Sequence, residues 1–180
     1  MSKKTIYNTL RGIFYISLIF FIIDCATSKL KNTTKLDNDK GILVTTIHSN
    51  ISGYKLTIRN KESAIFLSAN LKIDSKENFK VISLSNGAYY WCSMLFWKSI
   101  ISKPIVLELG EEMDFNIEAG KINYVGDLNI LVNQDGSDVN LFDIEIMDST
   151  EVVLKKLHNE YPTLLKSYPF VKHLTNKPID

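Results

Sequence analysis

From Ile42 onward the chain alternates apolar and polar residues over short runs, a period of two that marks half-buried strands. The runs are Ile42 to His48, Tyr54 to Arg59, Ala64 to Ser68, Phe79 to Leu84, Ala88 to Trp97, Ile105 to Leu109, Met113 to Glu118, Ile122 to Val132 and Val139 to Met147. Turn residues separate most of them. Tyr54, Leu56 and Ile58 share one face, with Lys55, Thr57 and Arg59 on the other. Ile122, Tyr124, Leu128, Ile130 and Val132 share a face that Gly126 interrupts, and a glycine there predicts a bulge or a close backbone approach. Phe142, Ile144 and Ile146 lie opposite Asp143 and Glu145, and Asn133 to Asp138 has the chemistry of a hairpin turn.

One segment breaks this rhythm. Asp148-Ser149-Thr150-Glu151 predicts a helix start, and Val153, Leu154, Leu157 and Tyr161 form a helical stripe that Pro162 ends. The expected fold is therefore all-β: an antiparallel β-sandwich with one C-terminal helix at about 149–161, lying on the sandwich and covering an edge strand. The folded domain is expected over 41–180. Ala26 to Lys40, rich in Lys, Asn, Thr and Asp, predicts a flexible tether.

Ahead of the tether the pattern changes again. Lys3, Lys4 and Arg11 form a basic head, Ile13 to Ile23 an apolar core, and Asp24-Cys25-Ala26-Thr27 follows. This is the order of an export signal, here residues 1–24, with Cys25 the candidate lipidated first residue of a mature chain. The apolar core is shorter than the roughly 20 residues that span a bilayer, and Asp24 closes it with a charge. Cys25, with an aliphatic Ile22 three residues before it, resembles the lipobox of bacterial lipoproteins, from which Asp24 departs where a small residue is usual. Ala26 after the cysteine resembles the arrangement that sends Gram-negative lipoproteins on to the outer membrane. The expected partner is therefore the membrane, reached through a lipid anchor at Cys25.

Composition narrows the roles. With Lys3, Lys4 and Arg11 set aside from 21 basic residues, and Asp24 from 20 acidic ones, 18 remain against 19. That balance argues against a nucleic-acid partner. Acylation of Cys25 leaves Cys92 unpaired, a small buried hydrophobe within Tyr90-Trp91-Cys92-Ser93-Met94.

Candidate chemistry is sparse. Tyr89, Trp91 and Trp97 are either core or, on an accessible face, a contact surface for another envelope protein or a glycan. His48, His158 and His173 lack metal-ligand spacing, and Asn133, Asp135 and Asp138 fail the EF-hand pattern. Glu111, Glu112 and Asp114 read as a charged turn. No metal, cofactor or catalytic residue is expected.

Asn86 to Trp91, the run from Phe115 to Leu128 with its Gly120-Lys121-Ile122-Asn123-Tyr124-Val125-Gly126 stretch, and the ending Glu160-Tyr161-Pro162 resemble small bacterial envelope lipoproteins of the domain-of-unknown-function families. The resemblance implies a prealbumin-like or carboxypeptidase-regulatory-like β-sandwich and carries no active site. The leading expectation is a non-enzymatic envelope lipoprotein of structural or interaction character. The alternatives are a carbohydrate- or small-ligand-binding module, and an envelope hydrolase using His48 or His158.

Overall fold

The computed structural model describes residues 30–62, 68–96, 105–135 and 138–176, in which the alternating runs become strands of two packed sheets. The first sheet is built around β1 (Lys40–Ser49). On one side β1 pairs antiparallel with β4 (Glu77–Ser85), from Lys40 opposite Ser85 to His48 opposite Glu77. On its other side two strands lie parallel to it in succession, β8 (Ile122–Tyr124) and β9 (Asp127–Asp135). Beyond them, β10 (Asp138–Met147) pairs antiparallel with β9, and β11 (Phe170–Lys172) pairs parallel with β8. In the second sheet β2 (Tyr54–Asn60) lies between β3 (Ser68–Ile73) and β5 (Gly87–Phe96). The far side of β5 is shared by β6 (Ile105–Glu108) and β7 (Asp114–Ile117).

The all-β sandwich is as the alternation predicts, but the first sheet is not purely antiparallel. The chain passes from the first sheet to the second and back between β1 and β4, and again between β4 and β8. Strands of one sheet are thus often joined by crossovers, which leave parallel pairing open where a tight hairpin would not.

Leu43, Ile47, Ile82, Leu128 and Ile130 from the first sheet meet Tyr54, Leu56, Ile58, Leu71, Trp91 and Met94 from the second in one buried core. Two irregularities keep apolar residues inside it. In β5, Ser93 lies opposite Thr57 and Trp91 opposite Ile58, leaving Cys92 as the extra residue of a bulge. The bulge reverses parity, so odd-numbered Tyr89 and Trp91 and even-numbered Met94 and Phe96 all join the core. In β10 the register shifts between Leu141 and Asp143, and Leu141 packs on the core with Ile144 and Ile146.

A second core lies on the outer face of the first sheet. Val153 and Leu157 of α1 (Thr150–Glu160) and Leu164 of α2 (Pro162–Ser167) cover Ile42, Val44, Val81, Ile122 and Tyr124. The helix thus covers a sheet face, correcting the expectation of an edge. Pro162 ends α1 but also starts α2, where its missing N–H costs no helical bond. The start of α1 is secured by Asp148, whose Oδ1 accepts from the Thr150 N–H at 3.2 Å and the Thr150 hydroxyl at 2.5 Å.

The tether expectation also needs correction. Leu30 is buried in the second core and its N–H donates to the Val81 carbonyl at 3.2 Å. Asn32 Oδ1 accepts from the Thr163 N–H at 2.8 Å, and the Leu36 N–H donates to the Tyr168 hydroxyl at 2.9 Å. The body therefore includes the segment from Leu30. Leu30 and Leu36, single apolar residues among polar ones, carry too little pattern to show this in sequence. The predicted signal 1–24, Cys25 and residues 26–29 lie outside the described residues.

Candidate functional site

Of the predicted contact residues, Trp91 is 0% exposed and Tyr89 5%. The Trp91 indole N–H donates to Thr175 Oγ1 at 3.1 Å, and its ring lies 5.1 Å from that of Phe115. Tyr89 also stacks on Phe115, at 6.1 Å, and donates its hydroxyl to the Ser85 carbonyl at 3.0 Å. Tyr89 and Trp91 therefore form no accessible platform: the parity change at Cys92 turns both inward. Trp97 lies outside the described residues.

The polar groups that the fold does bring together sit at the break between β8 and β9. Sequence pattern made one strand of 122–132, with one apolar face. The structure instead turns Ile122 and Tyr124 toward the helices and Leu128, Ile130 and Val132 toward the sandwich core. The change of face occurs at Gly126, whose φ is +90° and where a Cβ would lie 2.7 Å from Ile146 Cγ2. Because the ladder is interrupted there, Thr45 and Thr46 of β1 face a gap, and side chains fill it. Asp127 Oδ1 accepts from the Thr46 N–H at 3.0 Å, and the Thr45 hydroxyl donates to the Gly126 carbonyl at 2.7 Å.

Tyr124 completes the group. Its hydroxyl accepts from the Ser149 N–H at 2.8 Å and shares its own hydrogen between Asp127 Oδ1 and the Met147 carbonyl, each at 3.2 Å. Burial pushes the phenol pKa up to about 12, against the opposing pull of the Ser149 N–H, and the nearby Asp127 charge adds to the rise. The same hydroxyl thus ties the strand break to the entry of α1.

His48 stands next to this cluster, its Nε2 3.9 Å from Asp127 Oδ2, and is partly exposed. Folding has brought a histidine beside a buried carboxylate, but 3.9 Å is beyond a hydrogen bond. Both partners of Asp127 Oδ1 hold backbone or ring in place. The arrangement does structural work. His158 is exposed on α1, and Cys92 is a buried free thiol.

The residues after β11 form a strap between the sheets that the sequence pattern did not reveal, because they neither alternate nor form a stripe. The His173 N–H donates to the Tyr124 carbonyl and the Thr175 N–H to the Val125 carbonyl, while the Asn176 N–H reaches the Asp114 carbonyl across in β7. Asp114 also binds Lys61 at 2.6 Å and Asn176 Nδ2 at 2.5 Å, and the Lys61 bond holds its carboxyl below the usual range. Glu118 accepts from Lys121 and pairs with His173, both at 2.5 Å, and is lowered first by Lys121 and then by His173. Glu111 and Glu112 are exposed in a turn, as their pattern predicts, whereas Asp114, read as part of the same charged turn, is the first residue of β7.

Among the described residues no cluster of three or more His, Cys, Asp or Glu side chains is placed to hold a metal, and no helix is long and apolar enough to cross a membrane. A recess of about 170 Å³ opens on the flank where β3 and β4 lie, lined by Leu71, Lys72, Phe79, Lys80 and Val81. No protein-family model and no curated protein matches this chain.

Proposed function

We propose that this protein is a membrane-anchored lipoprotein of the bacterial cell envelope, attached through Cys25, whose sandwich domain has a non-enzymatic structural or interaction role. The observation that carries the reading is the N-terminal order of basic head, apolar core and cysteine, placed five residues before a chain segment that is already fixed to the domain. Such a layout joins an anchor to a rigid body with little slack. The interior supports the second half of the reading. Asp127, which stands beside His48, and Tyr124, Thr45 and the Trp91 indole are engaged in bonds that fasten strands. The resemblance to small envelope lipoproteins points the same way.

The glycan-binding alternative loses support with the burial of Tyr89 and Trp91. The hydrolase alternative would need His48 to engage Asp127, which stands 3.9 Å away with one oxygen already committed. Growth of an expressing bacterium with an alkyne-tagged fatty acid tests the proposal. The full-length chain takes up the tag and follows the membrane fraction, and Cys25→Ala abolishes both; tag retained by Cys25→Ala, or none in the parent, overturns it.

A further inference from the structure

Resting on the lipoprotein reading, we propose that the flank of the domain around Leu30 is held against the phospholipid headgroups, so that the outer face of the second sheet points away from the bilayer. Cys25 and Leu30 are five residues apart, which spans about 17 Å even when fully extended. A domain of this size has a radius of gyration of about 15 Å and thus a diameter near 40 Å. The leash is therefore less than half the body's width. A chain that ended its tether at Lys40, by contrast, would let the domain tumble freely.

The layers then set the orientation. Leu30 belongs to the helix-side core, fixed to the Val81 carbonyl and followed by Asn32 on the start of α2. From that layer the first sheet and then the second follow, packed sheets lying about 10 Å apart. Val106 pairs with Leu95 on the outward side of the second sheet and is 46% exposed. That face lies at the far end of the stack.

Charge agrees with length. Ser28 to Lys35 contains Lys29, Lys31 and Lys35 and no acid, and Lys31 and Lys35 are exposed; Asp37 and Asp39 follow only where the segment turns into β1. Lysines beside a lipid anchor are attracted to anionic headgroups. On the same layer Lys155 of α1 and Lys166 of α2 are exposed, as are Glu151 and Glu160 of α1, so the excess of positive charge lies in the segment itself.

The test uses full-length acylated protein in vesicles of phosphatidylethanolamine and phosphatidylglycerol bearing a headgroup-linked fluorescence quencher. In a Cys92→Ala background, a fluorophore is placed at Thr33→Cys, exposed near Leu30, or at Val106→Cys. Quenching at 33 is expected to exceed that at 106 several-fold. Insertion of 20 Gly/Ser residues after Ala26, adding a coil of about 25 Å, is expected to erase most of the difference. Lys55→Cys, also exposed on the far face, repeats the distant measurement should Val106→Cys fail to fold. Equal quenching at near and far sites in a chain that carries acyl mass overturns the orientation and leaves the lipoprotein reading standing. A chain without acyl mass that does not float with the vesicles overturns both.

Discussion

Replacement of Asp127 separates a structural carboxylate from a chemical one. The side chain is almost fully buried, and its Oδ1 serves the Thr46 N–H at 3.0 Å and the Tyr124 hydroxyl at 3.2 Å. In Asp127→Ala the Thr46 N–H, at a residue only 2% exposed, loses its acceptor opposite the strand break, a loss of about 1–3 kcal/mol for a buried unsatisfied donor. Tyr124 keeps the Met147 carbonyl, so its share is smaller, about 0.5–1 kcal/mol. Relief of the buried charge offsets part of the sum, leaving about 1–3 kcal/mol. Asp127→Asn keeps a carbonyl-type oxygen where Oδ1 stands and is expected to lose only about 1 kcal/mol, the charge-assisted part of the bonds. Urea unfolding of the domain at neutral pH gives both values from the shift in midpoint at unchanged slope. Asp127→Ala within about 0.5 kcal/mol of the parent, or Asn as harmful as Ala, would refute the idea that this carboxylate fastens the β8–β9 break.

Other changes follow from close contacts and charge. In Gly41→Ala the added methyl meets the backbone carbonyl oxygen of Glu118 at 2.2 Å, which cannot swing aside, and the side-chain Nδ2 of Asn123 at 2.8 Å, so a loss of about 3 kcal/mol is expected in thermal melts; an unchanged midpoint would show that the strands part easily. Leu30→Ala removes a buried contact worth about 2 kcal/mol and should open residues 30–40 to limited proteolysis while the rest of the domain stays resistant; cleavage there in the parent at equal rate would restore the flexible tether. Asp148, bonded first by the Thr150 hydroxyl and then by Lys172, has its pKa lowered from 3.8 to about 2. Its contribution is thus present above pH 3.8 and lost as pH falls toward 2, and Asp148→Asn should flatten the acid limb of the stability curve over that window. Tyr124 has the opposite sign: raised from 10.0 to about 12, it stabilises fully below pH 10 and loses that contribution above it, and Tyr124→Phe should remove this alkaline step.

The fold class was legible because alternation reports burial directly. Tyr54, Leu56 and Ile58 face inward as their spacing requires. In two strands an irregular residue lies behind the departure from the pattern. The extra residue Cys92 let four large β5 side chains face one core, while Tyr90 and Cys92 are buried outside that core, so the dense Tyr89 to Phe96 run is covered on both sides. Gly126 sent one apolar run to two different cores, which simple counting by two cannot see. β3 went undetected because its face consists of Ala69, Leu71 and Ile73 among charged and polar neighbours, and the nearest predicted run, Ala64 to Ser68, falls almost wholly outside the described residues. The Asp127 cluster was hidden for another reason. Its partners Thr46 and Ser149 offer backbone N–H groups, which every residue carries and no sequence pattern marks.

The central claim is that Cys25 becomes the acylated first residue of a chain whose domain starts close behind it. Intact mass spectrometry of the full-length product, extracted from the membrane fraction of a bacterial host, tests this most directly. The predicted species begins at Cys25 and carries the added acyl mass, and it disappears in Cys25→Ala. A mature chain cut at another residue without acyl mass, or one that retains Met1, would contradict the account.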